Sequence, residues 1–284
     1  MQHRLERALD ELVQLNPGRD HRPHIGGDAI VVEALGKTYP DGTEAVRAVT
    51  FRVAAGECYG LLGPNGAGKS TTVGMLGTLV RPTSGRANVA GFDVVAHPRH
   101  VRRRIGFAMQ EVGIDAFATA RELLVLQGRL YGLRRRECAH RAELLLAIVD
   151  LTDAADKRLG EFSGGMQRRV DLAAALMHLP AVLFLDEPSE GLDPRARAAI
   201  WHALDQLRRQ LHITVVLTTH YMDEADRLCD RLGIIDRGTI VAENTPAALK
   251  ASVGSDSLED VYLHYTGHAF EPGDGTLVAM ERAA

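Results

Sequence analysis

The stretch Gly60–Leu76, "GLLGPNGAGKSTTVGML", limits the folds open to this chain more than any other. It contains Gly63-x-x-x-x-Gly68-Lys69-Ser70, a complete phosphate-binding loop pattern, with an apolar strand pattern before it and helical spacing after it. Gly63, Gly66 and Gly68 let the backbone fold around an anion and aim N–H groups at it. Lys69 can then counter the charge of β- and γ-phosphates, and the Ser70 hydroxyl can hold Mg²⁺. Pro64, Asn65, Ala67 and Thr71 complete the cradle. The alternative, a glycine-rich turn with an incidental lysine, does not account for the flanking strand and helix patterns.

From Ala29 the chain reads as short strands punctuated by turns: "AIVVEAL", "AVRAVTFRV" and "CYGLLG". Between Glu111 and Met177 these give way to helical spacing in "ARELLVLQGRLYGL" and "CAHRAELLLAIVDL". Buried strands resume in "AVLFLD", "ITVVLTT" and "RLGIID", and "DRG" predicts a hairpin into "TIVAE". Strands alternating with helices predict a mainly parallel α/β sheet, here interrupted by a helical block. Leu5, Leu9, Leu12 and Val13 predict a short amphipathic helix over residues 3–15, followed by a linker from Asn16 to Asp28 read as a mobile arm. His21 and His24 have no further ligands nearby, so no metal site is expected there. After Pro246 come a helical "AALKAS", then "LEDVYLHYTG" and a tail with weak signals.

With 33 basic and 37 acidic residues, net charge −4, the chain has no global pull toward nucleic acid or anionic lipid. "RHVRRR" and "LRRRE" read as charged helix faces, and no nucleic acid is expected as a partner. Cys58, Cys138 and Cys229 form neither a disulfide framework nor a C-x-x-C site, which favours a reducing compartment. No apolar run approaches the roughly 18 residues of a membrane span, and "MQHRLERALDELVQL" lacks an apolar signal core. A cytosolic location is expected, with any membrane role exercised through a partner.

Two further segments carry chemistry. "AVLFLDEP" is a buried strand ending in adjacent acids, Asp186 and Glu187. Beside a phosphate loop, Asp186 can bind the magnesium shell and Glu187 can polarise an attacking water; otherwise the two acids merely cap a turn before Pro188. "EFSGGMQRRVDLAAALM" is a helix opened by Ser163, Gly164 and Gly165. Ser163 is an ordinary cap. Each glycine weakens a helix by roughly 1 kcal/mol relative to Ala, while bare N–H groups at a helix start suit an anion.

In order and spacing, "GPNGAGKST", "FSGGMQ", "LFLDEP", "EGLDP" and "TTH" resemble the motifs of ATP-binding cassette (ABC) ATPases, over roughly Ala29 to Lys250. "FSGGMQRRVDLAAALM", "TTHYMDEADRLCDR" and "LEDVYLHYTG" look most like ATPase subunits of ABC-2-type exporters, the daunorubicin-resistance ATP-binding proteins in particular. The resemblance implies a P-loop NTPase (RecA-like) α/β core, with an antiparallel β subdomain and an inserted α-helical signature subdomain. The expected layout is an N-terminal arm and linker over 1–27, an ATPase domain over 28–250 with its helical subdomain at about 111–178, and a C-terminal extension over 251–284.

The resemblance also implies roles. Two copies meet head to tail around two ATP molecules, so that Ser163, Gly164 and Gly165 address the γ-phosphate bound by the opposite chain. Tyr39 matches the aromatic that stacks on adenine, although a lone tyrosine fits a strand-end core position equally well. Gln110 matches the glutamine that touches Mg²⁺ and the attacking water. Asp193 matches the acid linking the two sites, and His220 the histidine that contacts the γ-phosphate and orders Glu187. Phe162 and Met166 depart from the usual Leu-Ser-Gly-Gly-Gln, and Ser189-Glu190 from the commoner Thr-Ser. The function implied is ATP hydrolysis energising efflux of a drug, lipid, polyketide or polysaccharide. A separate ABC-2-type permease would hold the chain on the inner face of the membrane and insert a short helix just after Gln110. The rivals are a non-transport ABC ATPase acting on nucleic acid or the ribosome, and a module that binds ATP without turnover.

Overall fold

The computed structural model describes residues 2–15, 27–109 and 115–268. Two patterns of burial sort its strands into two sheets. β1 (Asp28–Thr38) and β2 (Glu44–Ala54) mix buried and exposed positions, as strands with one covered face do. With β4 (Ser84–Val89) and β5 (Phe92–Asp93) they form an antiparallel sheet in the order β2-β1-β4-β5. β3 (Cys58–Leu62), β7 (Val182–Asp186) and β8 (Thr214–Thr219) are buried at every residue, the signature of parallel strands covered on both faces. They join β6 (Ile105–Ala108), β9 (Arg231–Asp236) and β10 (Thr239–Asn244) in a six-stranded sheet, order β10-β9-β3-β8-β7-β6. All its pairings are parallel except β9–β10. The expected hairpin there turns on Arg237 and Gly238, at φ 46° and 80°, two successive left-handed residues as tight hairpins require.

The strand order positions the site. β3, β8 and β7 are adjacent, with Leu62 opposite Thr219 and Asp186 opposite Thr218. The phosphate loop, His220 and the two acids therefore all leave the sheet at neighbouring carboxyl ends, where ligands bind in open α/β sheets. Helix α2 (Lys69–Leu76) runs directly from the loop. Short α3 (Pro98–Arg102) precedes β6.

The helical block comprises α4 (Ala120–Leu130), α5 (Arg135–Ile148) and α6 (Gly164–Leu176). α4 opens with a reciprocal capping box between Thr119 and Glu122. The expected block began at 111; residues 110–114 lie outside the described residues. The N-terminal helix α1 (Gln2–Gln14) is docked on this block rather than standing apart. Leu9 and Leu12 are fully buried in one cluster with Leu124 of α4 and Leu145 of α5. Arg141 of α5, 1% exposed, donates to the carbonyls of Leu15 (3.4 Å) and Met177 (3.1 Å) and pairs with Glu137, so one guanidinium caps the ends of α1 and α6. The linker with His21 and His24 lies outside the described residues.

The remaining helices are α7 (Pro194–Leu211), α8 (Met222–Leu228), α9 (Pro246–Val253) and α10 (Leu258–Thr266). α9 runs across residue 250, so the expected boundary there falls inside a helix. Tyr262 of α10 is fully buried and donates to Asp236 at 3.1 Å, which ties the C-terminal segment to the end of β9. No described helix is long and apolar enough to cross a membrane.

The docking of α1 is measurable. Leu12→Ala should cost about 2–5 kcal/mol in denaturant unfolding, as buried leucines do, whereas Leu126→Ala on the exposed face of α4 should stay within about 0.5 kcal/mol. Equal, small effects at both positions would show α1 undocked.

Candidate active site

Close packing forces two of the loop glycines. A Cβ on Gly63 would lie 2.2 Å from the Ile235 carbonyl oxygen. Gly68, at φ 101°, would place one 2.4 Å from the Ala45 carbonyl oxygen. The turn between them is held by Ala67 N–H donating to Pro64 O (3.2 Å) and Gly238 N–H donating to Ala67 O (3.0 Å), with Asn65 and Gly66 at its tip. Lys69 is 4% exposed. Its ammonium donates back to the carbonyls of Gly63 (2.9 Å) and Pro64 (3.1 Å) and pairs with Glu187 Oε1 at 3.0 Å. Ser70 donates to Asp186 at 3.0 Å. Thr71 Oγ1 lies 3.4 Å from the hydroxyl of Tyr39. Tyr39 is half-buried with Lys37 Nζ 5.1 Å above its ring; it is a residue of the loop's flank and not of the core.

The acids sit where β7 meets β8. The Thr218 hydroxyl donates to Asp186 (2.5 Å) and accepts from the Glu187 N–H (3.0 Å), so one side chain sets both positions. Glu187 stands at φ 48°, unusual for a residue with a side chain, and this turn aims its carboxylate between Lys69 and His220. His220 Nδ1 donates to Glu187 Oε2 at 3.0 Å. Burial alone would push the Glu187 carboxyl up; the His220 hydrogen bond and the Lys69 ammonium outweigh it and draw it down to about 2. At Asp186 burial prevails and the carboxyl is raised, although the hydrogen bonds from Thr218 and Ser70 oppose it. The structure thus gathers Lys69, Ser70, Asp186, Glu187 and His220 into one buried cluster.

Ser163, Gly164, Gly165 and Asp193 lie instead at two helix tips. Ser163 caps α6, accepting from Met166 N–H at 3.4 Å. Gly165 faces α7, where a Cβ would sit 3.0 Å from that of Ala196. Gly164 is exposed, and a Cβ there would meet nothing within 4 Å. Among the described residues, nothing crowds this position enough to require glycine. Phe162 is buried and Met166 packs against the core, which explains both apolar departures from the usual signature. Asp193 caps α7, accepting from Arg195 and Ala196 N–H, each at 2.9 Å. Gln110 lies outside the described residues.

Sequence reasoning passed over Thr218 and Arg168. Thr218 is one of three threonines in β8, with Thr214 and Thr219, and nothing in the strand's composition singles it out. Arg168 of α6 is 7% exposed; it lies on the helix face that also carries Leu172, and an arginine at a core position was the available signal. Burial lowers its pKa from the ordinary arginine value. One helical turn on, burial pushes the Asp171 carboxyl up to about 7, against the pull of Arg168.

The ABC transporter family matches residues 46–190. A daunorubicin resistance ATP-binding protein of Streptomyces coeruleorubidus is 48% identical over 84% of this chain and 73% of its own length. A Nod factor export ATP-binding protein of Burkholderia lata is 45% identical over 75% of this chain and 70% of its own length. Among solved structures, a dimeric post-hydrolysis ATP-binding cassette bound to ADP and Pi superposes with a TM-score of 0.70 at 27% identity, covering 76% of this chain and 98% of that one. The expected fold, a P-loop NTPase core with antiparallel and helical additions, is the one observed. The buried lysine–carboxylate–histidine cluster on a phosphate loop, and relatives matching most of its length, make this chain a member of the ABC transporter family, an ATP-hydrolysing cassette.

Proposed function

We propose that two copies of this chain enclose two ATP molecules, and that hydrolysis powers export through a separate membrane permease. The carrying observation is Gly164, bare and facing open space on a helix start, in a chain whose phosphate loop and acids form a second, separate surface. Each protomer then presents a cradle and a helix tip, and its partner supplies the complement. Ser163, Gly164 and Gly165 of one protomer would meet the γ-phosphate held by the other, where backbone donors and about half a unit of helix-dipole charge favour an anion. Asp193, beside that tip, would link the two sites.

The chemistry follows from the cluster. Lys69 and Glu187 are paired at 3.0 Å. The β- and γ-phosphates compete for that ammonium, and Glu187 is left with His220. Loss of a neighbouring cation raises the proton affinity of a carboxylate, so ATP binding itself turns Glu187 into a better base for the attacking water. His220 keeps the carboxylate aimed and reaches toward the γ-phosphate. Tyr39 would stack on adenine. The Ser70 hydroxyl and Asp186 carboxylate, 3.0 Å apart, are hard oxygen donors suited to Mg²⁺, with Gln110 a further candidate; when bound, that ion would neutralise charge on the phosphates. Phosphate release removes the ligand shared by both protomers, and the dimer reopens.

Relatives at 48% and 45% identity bear the names of different cargoes, a drug and a Nod factor. The cluster faces nucleotide, so cargo choice belongs to the permease, which would hold the chain on the inner face of the membrane through the helical block near Gln110. Relatives named for drug resistance and Nod factor export favour export over the nucleic-acid reading.

Lys69→Ala should weaken binding of a fluorescent ATP analogue at least tenfold, charge-assisted hydrogen bonds contributing roughly 1.5–3 kcal/mol. Glu187→Gln should bind ATP, lose at least about 100-fold in turnover and accumulate as a dimer in light scattering; an ATP-loaded monomer would count against the sandwich. Gly164→Leu should unfold within about 0.5 kcal/mol of the parent while losing ATP-dependent dimerisation. Retained dimerisation in that variant would remove the carrying observation.

A further inference from the structure

We propose that Arg168 is a positioning residue for hydrolysis, holding the Glu187 turn and joining it to the signature helix and to the chain at Met109. The inference rests on the ATPase reading above. Glu187 lies just past the end of the β7–β8 ladder, whose last pair is Asp186 with Thr218. Beyond that pair one backbone bond still reaches the sheet, Glu187 N–H to Thr218 O (3.2 Å), and Glu190 N–H donates to Glu187 O (3.2 Å). Glu187 holds a left-handed φ of 48°, a conformation that persists only where the surroundings impose it. The N–H of Glu187 is held from β8, by Thr218.

Its carbonyl side is held from α6. Arg168 Nη2 donates to the carbonyls of Asp186 (3.1 Å) and Glu187 (2.7 Å), and Nε donates to that of Pro188 (3.2 Å). Three consecutive carbonyls thus converge on one planar guanidinium. Only arginine offers five donors in a fixed fork; a lysine ammonium on the same stem cannot span them. The remaining arm, Nη1, donates to the carbonyl of Met109, which immediately precedes Gln110. Arg168 is five residues along from Ser163 on the same helix. Arg168, Asp186, Glu187 and Pro188 are buried, while Met109 is exposed. A shift of α6 against the sheet therefore has to move the Glu187 turn, the Met109 backbone, or both.

Arg169 provides an internal comparison. It also donates to backbone carbonyls, Gly165 at 3.4 Å, Val149 at 3.0 Å and Asp150 at 3.1 Å, but all three lie inside the helical block and none in the Glu187 turn. A stabilising staple and a positioning staple thus sit side by side on one helix.

The test uses the full chain with Arg168→Lys, Arg169→Lys, and Arg168→Lys combined with Glu187→Gln. Arg168→Lys should lower kcat about 10–100-fold, the usual effect of a misplaced reacting group. Its affinity for a fluorescent ATP analogue should stay within about twofold, because Lys69 and Tyr39 are untouched. In the Glu187→Gln background the same change should lower turnover by much less than in the parent, as expected for a residue acting mainly through Glu187. In the nucleotide-free chain, amide hydrogen exchange should quicken in the segment 184–192 for Arg168→Lys and not for Arg169→Lys. Equal losses of affinity and turnover, an equal kcat loss in Arg169→Lys, or unchanged exchange in 184–192 would each overturn the assignment. If the parent chain turned over no ATP, the function reading would fall, while the exchange comparison would still decide whether Arg168 holds the turn.

Discussion

A buried carboxylate gripped by two nitrogen donors, Glu187 between Lys69 and His220, is the contact on which the rest of this structure depends. Each partner comes from a different strand end: Lys69 follows β3, Glu187 follows β7, and His220 follows β8. The three meet only because β3, β8 and β7 are neighbours in that order. A carboxylate left unpaired at this depth would be strongly penalised. The pairing lets the sheet keep a charged group in its interior.

Around that centre the chain uses a hydroxyl and buried guanidinium groups to set backbone geometry. Thr218 fixes both acids through one oxygen. Arg168 gathers the carbonyls of the turn that follows. Arg141 does the same for the ends of α1 and α6. Buried arginines recur wherever a helix of the block must stay in register with another element. Their planar donors meet several carbonyls at once, and Arg141 pairs with the Glu137 carboxylate besides.

Two helix tips stand apart from the cluster, and their construction differs. The tip of α7 is closed by its own side chain, Asp193 accepting from two backbone N–H groups. The tip of α6 is closed on one side by Ser163 and left bare on the other by Gly164. Glycine at this position costs helix stability and relieves no crowding among the described residues.

The segments legible in the sequence were those whose chemistry is contiguous. The phosphate loop, the Asp186–Glu187 pair, the Ser163 cap and the strand and helix periods each depend on residues within a few positions, and spacing alone reports such local rules. Leu9 and Leu12 marked an apolar face on α1, but a helical period does not name the surface that will cover it; only the packed chain showed it to be α5. Tyr39 stayed ambiguous between core and flank until Thr71 was found beside it. Arg168 and Thr218 act on backbone atoms 18 to 59 residues away, contacts that no local pattern encodes. The sequence by itself determined which groups could do phosphate chemistry and on which kinds of element they lie. The tertiary structure alone decided which of them meet, because strand order and helix docking follow from burying apolar surface over the whole chain and not from any short run of residues.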